Sequence, residues 1–165
     1  MKSAPILAGI LLSLAGCAYH VGPVRPVTHR SVAVPMFKNQ TLKPQLQAQV
    51  TNAIIKRLQA DGTLRVEWEA DAEVVVTGTI TRYGRSVLRF QRLDSEVPRE
   101  YRLELEATVE AHDRTTGKVL LPPTKLVGKA DSFVGSDLQS AEQQALPLMA
   151  DDLARQVVSL LVERW

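Results

Sequence analysis

Apolar residues recur along the chain at two spacings, and each spacing predicts a different kind of element. Leu46, Val50, Ile54 and Leu58 fall every four residues with Ala53 beside them, which is one stripe of an amphipathic helix. Thr41 is placed to cap that helix, Pro44 is tolerated in its first turn, and Asp61-Gly62 ends it. Leu146, Met149, Leu153, Val157 and Leu160 predict a second helix running to Trp165. Ser140 and Gln143 suit a capping box there, and Pro147 is expected to kink this helix or delay its regular part.

Between the two helices the spacing changes to alternation. From Arg99 to His112, Tyr101, Leu103, Leu105, Ala107, Val109 and Ala111 alternate with Arg102, Glu104, Glu106, Thr108, Glu110 and His112. A strand from Ala72 to about Phe90 begins the same way, with Ala72, Val74, Val76, Gly78 and Ile80 on the inner side. Carried to its end, that parity puts Arg82, Ser86, Leu88 and Phe90 inside and Arg85, Arg89 and Gln91 outside. Asp113 to Lys118, with Gly117, reads as a hairpin turn, and Val119 to Phe133 as the returning strand, broken at Pro122-Pro123. Shorter strands are expected at Ser31–Phe37, where Pro35 favours an edge or a strand end, and at Thr63–Trp68, with Lys38 to Thr41 as a turn. A sheet apolar on one face needs a cover, and two helices provide it. The expected fold is α+β: a two-layer sandwich, with two helices packed on one face of a mixed, mostly antiparallel β-sheet.

The N-terminus follows neither spacing. Lys2 precedes the apolar run Ile6 to Leu14, which leads through Ala15-Gly16 into Cys17, the order of charge, apolar core and small residues of a secretory signal. The run is short of the ~20 residues a spanning helix needs. Leu14-Ala15-Gly16-Cys17 resembles a bacterial lipobox, which implies cleavage before Cys17, a diacylglycerol thioether on its sulfur and acylation of the freed amine. Residues 18–30 hold Pro23 and Pro26 and no periodicity, as an extended tether would. The expected organisation is a signal peptide at 1–16, a lipidated N-terminus and tether at 17–30, and one domain at 31–165.

Composition narrows the possible partners. With 20 basic and 18 acidic residues the formal net charge is +2, and loss of Lys2 lowers it further, which argues against nucleic acid. A single cysteine excludes an intramolecular disulfide. The chain carries no P-loop, nucleophile elbow, dinucleotide glycine motif or His-Glu-x-x-His, so an enzyme is not expected. His20 and His29 lie nine apart in the tether with no thiol or carboxylate beside them, and no metal site is expected. The one unusual cluster is basic: Arg82, Arg85, Arg89 and Arg92 with Tyr83, Leu88 and Phe90 interleaved and no acid among them. Guanidinium forks match phosphate and apolar neighbours suit acyl chains, so these four, with Lys125 and Lys129 on the returning strand, are the candidate contacts for an anionic amphiphile. The competing reading pairs them with Asp94, Glu96 and Glu100 as a solvated strand end.

Several segments occur together in a recognisable order. After the lipobox come Val34-Pro35-Met36-Phe37-Lys38-Asn39-Gln40-Thr41, Asp61-Gly62-Thr63-Leu64-Arg65-Val66, Ala70-Asp71-Ala72, Pro98-Arg99-Glu100-Tyr101-Arg102-Leu103, Ala145-Leu146-Pro147 and Asp152-Leu153-Ala154. This series resembles the lipopolysaccharide-assembly lipoprotein family LptE. The resemblance implies an outer-membrane lipoprotein on the periplasmic side, seated as a plug inside the LptD β-barrel and assisting lipopolysaccharide transport to the outer leaflet. It implies no cofactor beyond the covalent lipid on Cys17, and Ala18 in place of an aspartate fits outer-membrane sorting. The alternative is a periplasm-facing lipoprotein subunit of an unrelated homo-oligomeric secretion or envelope complex.

Overall fold

A computed structural model describes residues 31–90, 98–133 and 137–164. The expected signal, Cys17, the tether, Arg92, Asp94 and Glu96 lie outside the described residues. The elements in chain order are β1 (Ser31–Ala33), β2 (Lys38–Asn39), α1 (Leu46–Asp61), β3 (Arg65–Val66), β4 (Val74–Phe90), β5 (Pro98–Asp113), β6 (Val119–Phe133) and α2 (Leu138–Arg164). The strands form one sheet in the order β3-β1-β4-β5-β6. β1 pairs parallel with both β3 and β4, β2 continues along β4 in parallel, and the long β4-β5-β6 meander is antiparallel. The sheet is therefore mixed and mostly antiparallel, with both helices against one face, as the alternation predicts.

Helix α1 buries the expected stripe, Leu46, Val50, Ile54 and Leu58. Gly62 ends it at φ 74°, its N–H donating to Leu58 O at 3.0 Å. Thr41 does not cap it. The helix starts from Gln45 in a left-handed conformation with no side-chain cap, and Thr41 instead ties its own turn, donating to Asn39 Oδ1 at 2.8 Å. Lys38–Asn39, expected as a turn, is a strand because its backbone finds a free partner at Thr79–Ile80. Pro35 marks the break between β1 and β2. Across that break Phe37 N–H donates to buried Thr51 Oγ1 at 3.0 Å. The Phe37 ring fills the space over Gly78, where a Cβ would fall 2.1 Å from it.

Helix α2 begins earlier than the expected Ser140 cap. Asp137 caps it, its carboxylate accepting from Gln139 N–H and Ser140 N–H at 3.0 Å each and from the Ser140 hydroxyl. The helix runs through Pro147 without ending. Leu146, Met149, Leu153 and Val157 are buried as expected, while the fifth core position is Leu161 and Leu160 is only half-buried. Gly128 on β6 admits α2 closely, since a Cβ there would lie 2.5 Å from Met149 O.

Candidate anionic-ligand site on the distal sheet

From Tyr101 to Ala111 strand β5 keeps one parity, and Leu103, Leu105, Ala107, Val109 and Ala111 are all buried under the helices. Strand β4 does not. Its register against β5 slips between Ile80, opposite Ala107, and Arg82, opposite Glu106. The extra residue, Thr81, is a β-bulge, and it exchanges the two faces of the strand from Arg82 to Val87. Arg82 therefore lies opposite Glu106 on the open face, contrary to the inner position that uninterrupted alternation gives it. Arg85 pairs with Leu103 and Val87 with Tyr101, so both move to the helix-bearing face. A second slip, between Val87 and Arg89, interrupts the strand again.

On the open face, Arg82 Nη1 approaches Glu106 Oε1 at 3.5 Å and Lys125 Nζ approaches Glu106 Oε2 at 2.7 Å. The hydrogen bond from Lys125 holds the Glu106 carboxyl below the ordinary carboxylate range, against a smaller upward push from burial. Lys129 Nζ stands 3.7 Å from Glu104, and Arg102 makes a two-pronged pair with Asp131 at 2.7 and 2.8 Å. The uncovered side of the sheet is thus a ladder of alternating charge.

On the helix-bearing face Glu142 of α2 gathers three donors. Lys43 Nζ and the Tyr83 hydroxyl each reach Oε1 at 2.6 Å, and Arg85 Nη1 reaches Oε2 at 3.5 Å. Burial pushes the Glu142 carboxyl upward, but hydrogen bonds from Lys43 and Tyr83 and the charges of Lys43 and Arg85 outweigh it and hold it below its ordinary value. Burial, followed by the hydrogen bond to Glu142, raises Tyr83 well above an ordinary phenol. The Arg85 guanidinium also lies over the Tyr101 ring, 5.1 Å from its centroid.

The structure brings Arg82 and Lys125 together on one carboxylate, sets Lys129 two positions along the same face, and places Arg85 on the opposite face. Arg89 holds a register position opposite Glu100 in β4, and Arg92 lies outside the described residues. Sequence reading missed Glu142, Lys43 and Glu106 as partners. A face count along β5 with the Thr81 slip would have found Glu106, whereas the Lys43–Glu142 contact spans 99 positions and leaves no local signal.

Among the described residues no group of three His, Cys, Asp or Glu side chains is placed to hold a metal ion. No described helix is long and apolar enough to cross a membrane. Half-buried carboxylates here neutralise cations, which are spread along the strands rather than gathered in a pocket. The class is a two-layer α+β sandwich with charged residues paired on both faces of its sheet. The sequence model of the family LptE, described as lipopolysaccharide-assembly, matches residues 30–161, and the chain belongs to that family. It is a family that depends on no cofactor. Among curated proteins, none matches the chain by sequence. Solved structures with the same fold include a hypothetical protein of Chlamydia trachomatis, at 15% identity and TM-score 0.57, the match covering 82% of this chain and 97% of that one. A minor lipoprotein of Acinetobacter baumannii matches at 18% identity and TM-score 0.51, over 83% and 95% of the two chains. PelC of Paraburkholderia phytofirmans, a dodecamer, matches at 20% identity and TM-score 0.51, over 81% and 89%. At these identities the likeness is one of fold.

Proposed function

We propose that the protein is an outer-membrane lipoprotein, anchored through lipid on Cys17 with its domain at 31–165 on the periplasmic side, that plugs the LptD β-barrel and assists lipopolysaccharide transport. The family match across residues 30–161 is the observation that carries this reading. The lipobox before Cys17 supports the anchor, and the ladder of ion pairs on the uncovered sheet face supports a hydrated partner surface over a greasy one. The role is non-enzymatic. Arg82, Arg85, Arg89, Arg92, Lys125 and Lys129 are the contacts we assign to lipopolysaccharide phosphate. Glu106 and Glu142 each hold two cations, so each site carries one positive charge in excess.

Purification of the tagged, lipidated protein from native membranes in mild detergent tests the assignment. A stoichiometric large β-barrel is expected, and lipopolysaccharide binding by the preparation is expected to fall when the four arginines are serine. Recovery as a ring of itself would overturn the plug reading. Unchanged binding by the serine variant at moderate salt would overturn the contact assignment.

A further inference from the structure

Among the described residues, the outer edges of β3 and β6 are short or guarded. Strand β3 exposes only two residues. The outer edge of β6 is bulged at Pro122-Pro123, and farther along α2 closes it: Lys129 N–H donates to Asp152 at 3.0 Å, and Gln156 Nε2 donates to Val127 O at 2.9 Å. Strand β4 is different. Its inner neighbour β2 ends at Asn39, and Gln40 N–H to Ile80 O at 3.0 Å is the last backbone bond on that side. Past Ile80, among the described residues, β4 is hydrogen-bonded on the β5 side only. From Arg82 to Leu88 this leaves an open edge about 23 Å long, with no proline or acid along it. Val87 and Leu88 are each 41% exposed on it.

We infer that the distal edge of β4 is a strand-addition site that takes an extended, acidic segment of a partner protein. Main-chain groups of the edge supply the pairing, and the side chains astride it supply the choice. On one face Arg82 and Lys125 share Glu106, and on the other Lys43 and Arg85 share Glu142. An added strand presents side chains to both faces, so glutamates or aspartates at neighbouring positions meet a surplus cation on each. A second copy of this chain is a poor occupant, because pairing β4 with itself would bring the Arg82 and Arg85 cations of both copies onto adjacent strands with no acid between them. The inference goes beyond the lipopolysaccharide reading, and the two stand or fall on different measurements.

Hydrogen exchange of the full lipidated chain in detergent micelles, with and without synthetic peptides, tests the site. The probe is a capped nonapeptide of valine, threonine and glutamate with glutamates at adjacent positions. One comparison peptide replaces glutamate by lysine. Another keeps the glutamates but is N-methylated on alternate backbone nitrogens. The glutamate peptide is expected to slow exchange within residues 82–90, with the lysine and N-methylated peptides binding at least ~10-fold more weakly. Equal binding of the N-methylated peptide would mean charge attraction without strand pairing and would overturn the proposal. So would protection confined to other segments, or protection in peptide-free protein that rises with its own concentration.

Discussion

At the scale of single residues, Glu142 joins the most distant parts of the chain. Its folded pKa is depressed, so its contribution to stability is present above the unfolded carboxyl pKa of about 4.3 and is lost as pH falls through the lower folded value. Glu142→Gln removes the charge that faces Lys43 and Arg85 while keeping an oxygen for Tyr83. The expected cost at pH 7 is about 1–2 kcal/mol, the range for a hydrogen bond to a charged group discounted for partial exposure. Urea denaturation at pH 7 and again near pH 3 measures it. The gap between variant and parent should shrink as pH falls below the unfolded carboxyl value, and a gap independent of pH would count against the network. Nothing near Glu142 in sequence announces this role. It sits on the same helix turn as the ordinary polar residues Gln143 and Gln144, and its partners come from the loop before α1 and from β4.

At the scale of elements, legibility depended on regularity. Strand β5 has no slip in its parity from Tyr101 to His112, and its alternation can be followed there. The same method failed on β4 beyond Ile80, because a bulge inserts one residue without a composition signal and Thr81 is as ordinary in a strand as outside one. The cap of α2 was misplaced by three residues for a related reason: Asp137 and Ser140 are both good capping types, and the hydrogen bonds decide between them. The glycines separate by what surrounds them. Gly128 lies under the α2 backbone, so Gly128→Ala should push the helix from the sheet and cost about 1–3 kcal/mol. Gly84 has open space, with only Arg82 Nε as near as 4.0 Å. There Gly→Ala should be neutral or stabilise by up to about 1 kcal/mol, by restricting the unfolded chain. Thermal or urea unfolding of the two variants checks the contrast, and similar losses at both sites would contradict the close α2 crossing.

At the scale of the whole molecule, the described domain begins at Ser31, buried at the start of β1, where its hydroxyl accepts from Glu73 N–H at 3.0 Å. The described fold is thus tied to β4 from its first described residue. The thirteen residues 18–30 between Cys17 and that point, two of them proline, span at most about 43–47 Å when fully extended. Under the proposed lipid anchor, a linker of that reach would let the domain stand off a bilayer, with the anchor supplying location and the domain surface supplying docking. Cys17→Ser should separate the two. The domain should keep its unfolding temperature, because the described core is built from Val32 to Leu161, while the protein moves from the membrane fraction to the soluble periplasmic fraction. With diacylglycerol contributing about 0.8 kcal/mol per buried methylene, loss of the lipid should shift that partition by orders of magnitude. Fractionation followed by a melt of the recovered protein measures both. A variant that stays with membranes after a high-salt wash would show that the folded domain, rather than the lipid, holds the protein there.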